Sequence, residues 1–118
     1  MNLGEKKRFL KSYLEEKKEL ESITESIEVL RASSTYLPGY AANLDELERK
    51  MQAKQREVIN IGIRIEVSIM EMKELKERMV LRYRYIQGMR WEEVCIKMRY
   101  CLRHVRRIHT KALKNMSL

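Results

Sequence analysis

The sequence predicts an all-α protein: an N-terminal antiparallel helical hairpin, coiled-coil-like, followed by a C-terminal three-helix helix-turn-helix domain. Three observations lead there. Apolar residues recur at threes and fours over two long stretches, which is the rhythm of a helix face. Charged residues make up 36% of the 118-residue chain and aromatics 7%, with a single proline, so long and largely exposed helices are expected. Period-two runs of β-branched residues are absent, which removes the usual signal for strands.

The first helix is expected over residues 5–31. Phe9, Tyr13, Leu20, Ile23, Ile27 and Leu30 form a heptad stripe with Glu16 in its one gap. Leu10 and Leu14 widen it toward a neighbouring face. The stretch Ala32–Tyr40 then reads as a break, because small polar residues precede the Pro38-Gly39 pair. Asn43 or Asp45 is expected to cap a second helix over residues 44–72. Leu44, Leu47, Met51, Val58, Ile61, Ile65 and Met72 keep the same spacing, interrupted by Lys54 and Ser68. Two helices of similar length across a short loop should fold back on each other. Ile59, Ile63, Val67, Ile69 and Met70 give the second helix a further apolar face, which asks for another partner.

Near residues 73–75 the rhythm shortens, and nothing marks whether the helix continues or kinks. The domains are therefore divided as 1–74 and 75–118. Three shorter helices are expected in the second. The first covers residues 75–87, with Met79, Val80, Tyr83 and Ile86 inward and Gly88 as a left-handed cap. The next covers 91–98, with Trp91, Val94, Cys95 and Met98 inward. After a turn at Arg99-Tyr100-Cys101, the last covers 102–116, with Val105, Ile108, Ala112 and Leu113 inward.

Charge separates the two parts. Residues 1–74 hold 13 Lys/Arg and 14 Asp/Glu, whereas residues 75–118 hold 12 and 3, so the formal excess of +8 lies in the last third. A basic block beside a neutral one points to a polyanion partner for the block. On the last helix, Arg103, His104, Arg106, Arg107 and Lys111 fall opposite the inward set. Short helices, a tight turn and an outward basic face are the ingredients of a helix-turn-helix, whose second helix enters the major groove. Arginine suits that task because its planar guanidinium pairs bidentately with guanine or phosphate.

The stretch Arg84–Leu113 resembles the fourth conserved region of bacterial sigma factors, a helix-turn-helix that reads the −35 promoter element. His104–Leu113, reading HVRRIHTKAL, follows its pattern of basic residues ending in Lys-Ala-Leu, and Arg84–Val94 resembles the approach to its first reading helix. The fuller likeness is to small phage and prophage regulators, in which such a domain follows a helical segment. The resemblance covers about 40 residues, and what precedes them is alike only in length and helicity. It implies DNA contacts from Leu102, Arg103, His104, Arg106 and Arg107, with Lys111, Arg99 and Arg90 meeting phosphates. Leu102 departs from the family, where that position is often polar or basic. Cys101 and Arg90 stand where Ser or Thr usually caps a helix, and losing such a cap costs about 1 kcal/mol.

The expected function is sequence-specific duplex-DNA binding in transcription regulation, together with host RNA polymerase and as a homodimer. The alternative is a coiled-coil interaction module that binds polymerase or another regulator without touching DNA. RNA binding is a third, weaker reading. The 118 residues leave no room for the sigma segment that melts the −10 element, so the chain is not expected to replace a full sigma factor.

No membrane partner, small-molecule substrate, cofactor or metal is expected. No apolar run approaches the roughly 20 residues of a membrane span. Cys95 and Cys101 match no zinc spacing with His104 and His109. Two cysteines without a signal peptide suggest a reducing, cytoplasmic setting. No nucleophile, base and orienting group come together for catalysis. Trp91 is expected as a core anchor. One of Tyr83 and Tyr85 should pack while the other edges the surface. His109 is expected either to hold its helix or to touch phosphate.

Overall fold

The computed structural model describes residues 1–34 and 39–118. The chain is helical and has no strand among the described residues. Helix α1 spans Leu3–Ser34, α2 Ala41–Met70, α3 Leu75–Leu81, α4 Trp91–Met98 and α5 Leu102–Asn115, with a π-helical turn at Arg82–Ile86 between α3 and α4. None of these helices is long and apolar enough to cross a membrane. Packing divides the chain into two compact units, Glu15–Asn60 and Met1–Leu14 with Ile61–Leu118, so α1 and α2 each contribute to both.

Helix α1 begins at Leu3, six residues before its apolar stripe and two before the expected start. Asn2 supplies the reason: its side-chain oxygen accepts from the Glu5 backbone N–H at 2.9 Å, a cap on the first turn. Helix α2 begins at Ala41, ahead of both Asn43 and Asp45, so neither of these expected caps stands at its start. Gly39 has φ +112, a conformation open to glycine, while Pro38 lies outside the described residues.

In the unit Glu15–Asn60, partners rise in number along α1 as they fall along α2. Lys54 pairs with Glu16 at 2.5 Å and with Glu19 at 3.5 Å. The Thr24 hydroxyl meets the Met51 sulfur at 3.5 Å, and Arg31 pairs with Glu48 at 2.7 Å. Ile27 and Val58 are its buried apolar residues among the described ones. Two polar interruptions of the heptad stripes, Glu16 and Lys54, thus answer each other, and the hydrogen bond that Lys54 donates to Glu16 raises the Lys54 pKa.

The other unit holds the main core: Leu10, Ile65, Ile69, Met72, Leu81, Tyr85, Ala112, Leu113 and Met116. Helices α3 and α5 and the π-turn therefore share one apolar interior with the first turns of α1 and the end of α2. Gly62 permits close approach on α2, because a Cβ there would stand 2.9 Å from the Tyr13 ring. Ser68, the remaining polar interruption, donates to the Ser117 carbonyl at 2.8 Å. Of the surplus face expected on α2, Ile69 is buried, whereas Ile59, Ile63, Val67 and Met70 are exposed.

The helix does not continue through the region of changing rhythm. It ends at Met70, and Arg78 ties the following bend by donating to the Met72 carbonyl at 2.6 Å. The expected helix 75–87 is likewise divided. After Leu81 the chain widens to a π-turn, closed by the Gln87 N–H bonding to the Arg82 carbonyl at 2.9 Å. The extra residue rotates the following side chains. Val80 and Tyr85 are fully buried, joined by Leu81, while Met79, Tyr83 and Ile86 of the expected inward set are only half-buried. Gly88 has φ +70, as a left-handed cap requires.

Candidate nucleic-acid interface

Two short helices and their turn position the candidate residues. Arg90 is extended just before α4, and Glu92 and Glu93 occupy its first turn, where acids suit the helix dipole. Arg90 makes no side-chain cap bond. Its Nε instead donates to Glu93 at 2.8 Å, and that bond holds the Glu93 carboxyl below its usual pKa. The contact is exposed, so it competes weakly with other anions. Helix α4 closes on Arg99 at φ 60, a left-handed residue that is not glycine. The Tyr100 N–H bonds to the Cys95 carbonyl at 3.2 Å, and Cys101 then leads extended into α5, also without a side-chain cap.

Helix α5 has two unlike sides. Val105, Ile108, Ala112 and Leu113, the whole expected inward set, are buried, joined by His109. Arg103, Arg106, Arg107 and Lys111 are exposed on the other side, Leu102 is exposed at the first position of the helix, and Arg99 is exposed in the turn. None of Arg99, Arg103, Arg106, Arg107 and Lys111 forms an ion pair among the described residues. His104 differs from its neighbours. It is half-buried and meets the Tyr100 ring edge-on, with centroids 4.4 Å apart. Lys76, at the start of α3, stands 5.2 Å from the same tyrosine ring.

A brace behind α5 was not visible as a motif. The Tyr85 hydroxyl and His109 Nε2 share a hydrogen bond of 2.7 Å in the interior. The Trp91 ring meets the imidazole edge-on at 4.8 Å, and the Arg84 guanidinium lies 4.8 Å over the same indole. Arg84 also donates to the Met89 carbonyl at 2.8 Å, which fixes the approach to α4. Burial depresses the His109 pKa to about 4, helped by the nearby cations Lys7, Arg84 and Lys11, and raises the Tyr85 pKa to about 12. Both are neutral near pH 7. Of the two roles expected for His109, holding its helix fits this burial and touching phosphate does not. Of the two tyrosines, Tyr85 packs and Tyr83 is half-exposed, and the half-buried Trp91 anchors against His109 rather than in the main core.

The far end of α5 is held by α1. The Lys6 ammonium is buried and donates to the carbonyls of Leu113 at 2.9 Å and Met116 at 2.6 Å. A cation at these last carbonyls suits both their lone pairs and the helix dipole. Asn115 donates to the buried Glu77 at 2.7 Å, joining α5 to α3. The signal for Lys6 was slight: a lysine four residues before Leu10, on the same helical side. Among the described residues, no three His, Cys, Asp or Glu side chains gather where they could hold a metal ion, and Cys95 and Cys101 are free thiols.

No protein-family model matches the chain, and no curated protein or solved structure matches it.

Proposed function

We propose that the protein is a sequence-specific duplex-DNA-binding transcriptional regulator of phage type, acting with host RNA polymerase at promoters. In this reading α4 and α5 form the helix-turn-helix, α5 lies in the major groove, and the preceding antiparallel helices are a hairpin that carries it. One observation carries the reading. Arg103, Arg106, Arg107 and Lys111 share the outward side of a helix whose inner side is fixed, and none is engaged by a carboxylate among the described residues.

Free guanidinium groups on a fixed helix face need little rearrangement to meet phosphates and base edges. Arg103, Arg106 and Arg107 lie in the first half of α5, the part that reaches base edges in a helix-turn-helix. Leu102 is assigned to a thymine methyl or to packing, and the ring of His104 meets that of Tyr100 edge-on. Arg99, Lys111 and Arg90 are assigned to phosphates, with Arg90 leaving Glu93 to do so.

A mobility-shift titration tests the reading. Duplex-DNA affinity should fall steeply and linearly on a logarithmic salt scale. Absence of binding at low salt would favour a protein-interaction module instead. That second reading draws on the exposed Ile63, Val67 and Met70 of α2. Within the first reading, the same stripe is assigned to a second copy of the chain, which would set two recognition helices about one turn of DNA apart. Sedimentation of Val67→Glu should then show a monomer where the parent is a dimer.

A further inference from the structure

The outward side of α5 is not the only cationic surface of its compact unit. Residues 1–74 are almost neutral as a sequence, and that total conceals a basic segment within them. Folding regroups the charges. The unit Met1–Leu14 with Ile61–Leu118 carries 18 Lys/Arg and 7 Asp/Glu, whereas Glu15–Asn60 carries 7 and 10. The first turns of α1 join the basic unit, bringing Lys6, Lys7, Arg8 and Lys11 against the single Glu5.

These turns are firmly placed. Leu10 is fully buried in the core that includes Tyr85, Leu113 and Met116. Lys6 is bound to the last carbonyls of α5. That leaves Lys7, Arg8 and Lys11, of which Lys7 and Lys11 are one helical turn apart and so on one face of α1. Both are exposed, and neither has an ion-pair partner among the described residues. Leu14, three residues after Lys11, approaches the entry to α4, where a Cβ on Gly88 would stand 3.6 Å from it, and the charges of Lys7 and Lys11, with that of Arg84, oppose protonation of the buried imidazole on α5. Like charges that no carboxylate pairs repel, unless a polyanion lies across them.

We propose that Lys7 and Lys11 contact phosphates of the same duplex that α5 reads, so that the DNA backbone is held by the N-terminal helix as well as by the helix-turn-helix. The inference rests on the DNA-binding reading above. It assigns to α1 a sequence-independent grip: these two residues add affinity and salt dependence but read no bases.

The test uses the full chain and one duplex selected by the parent protein, titrated across salt concentrations. Each phosphate contact contributes about 0.9 to the slope of log affinity against log salt. Lys7→Gln with Lys11→Gln should lower that slope by about 1.8. It should weaken the selected and a scrambled duplex by the same factor. Lys7→Arg with Lys11→Arg should restore the parent slope. Arg49→Gln with Lys50→Gln, in the other unit, should leave it unchanged. An unchanged slope in the Lys7/Lys11 glutamine variant, while the parent binds, would overturn the inference alone. So would an equal loss in the Arg49/Lys50 control. A parent protein that fails to bind duplex DNA at low salt would overturn the DNA-binding reading and this inference with it.

Discussion

Acid should unfold this protein in a range set by one imidazole. His109 is buried behind α5, hydrogen-bonded to Tyr85 at 2.7 Å, edge-on to Trp91 and near three cations. Its folded pKa of about 4 lies below the ordinary value of 6.5. Between those values the unfolded chain binds the proton more readily, so stability rises with pH across the window and is lost as pH falls through it. The contribution is fully present above pH 6.5 and gone below pH 4. Integrating the difference between pH 7 and pH 5 gives about 2 kcal/mol, a large part of the stability of a small domain. Urea denaturation of the parent and of His109→Gln at both pH values measures it. Glutamine keeps a polar partner for the Tyr85 hydroxyl but does not titrate. The parent should lose about 2 kcal/mol more than the variant on acidification. Equal losses would mean that the imidazole is protonated without cost in the folded state, and the account of the brace behind α5 would be wrong.

Three further perturbations probe how the unit that contains α5 is held together. Val105→Asp places a carboxylate at a fully buried position and should abolish cooperative unfolding of the unit that contains α5, read by circular dichroism. Lys6→Met removes the ammonium from two carbonyls and should cost about 2–3 kcal/mol in denaturant titrations, since bonds to charged groups are the stronger ones. Gly62→Ala drives a methyl group against Tyr13 and should destabilise by about 1 kcal/mol. In a Tyr13→Ala background the same change should stabilise by up to about 1 kcal/mol, because alanine is the better helix former.

Much of this was legible along the chain. Helix α4 begins and ends where its apolar positions and flanking turn place it, and α5 buries Val105, Ile108, Ala112 and Leu113 as their spacing requires. Periodicity works there because each helix has one strong apolar side. It works less well for the segment before Gly88. A π-turn shifts the register by a fraction of a turn, and no residue type announces that shift, so Tyr85 enters the core in place of Tyr83.

The candidate site divides in the same way. Its outward arginines follow from helix geometry alone. Their setting does not, because Lys6, Leu10 and Lys7 act across more than 70 residues of chain, and such pairings leave no local pattern. Asn2 and Glu5 did carry a signal, the three-residue interval of an N-terminal capping pair, and it explains why α1 starts before its apolar stripe. Glu16 and Lys54 looked like flaws in two stripes, yet each is the other's partner.

The most direct test is selection of bound duplexes from a random DNA pool, run in parallel with the parent and with Arg103→Ala/Arg106→Ala. The parent should enrich a defined motif, and each lost arginine should cost about 1–3 kcal/mol at its own base positions while the variant stays folded. Failure of the parent to enrich any motif, or recovery of the same motif with equal affinity by the folded double variant, would contradict the assignment of α5 as the reading helix.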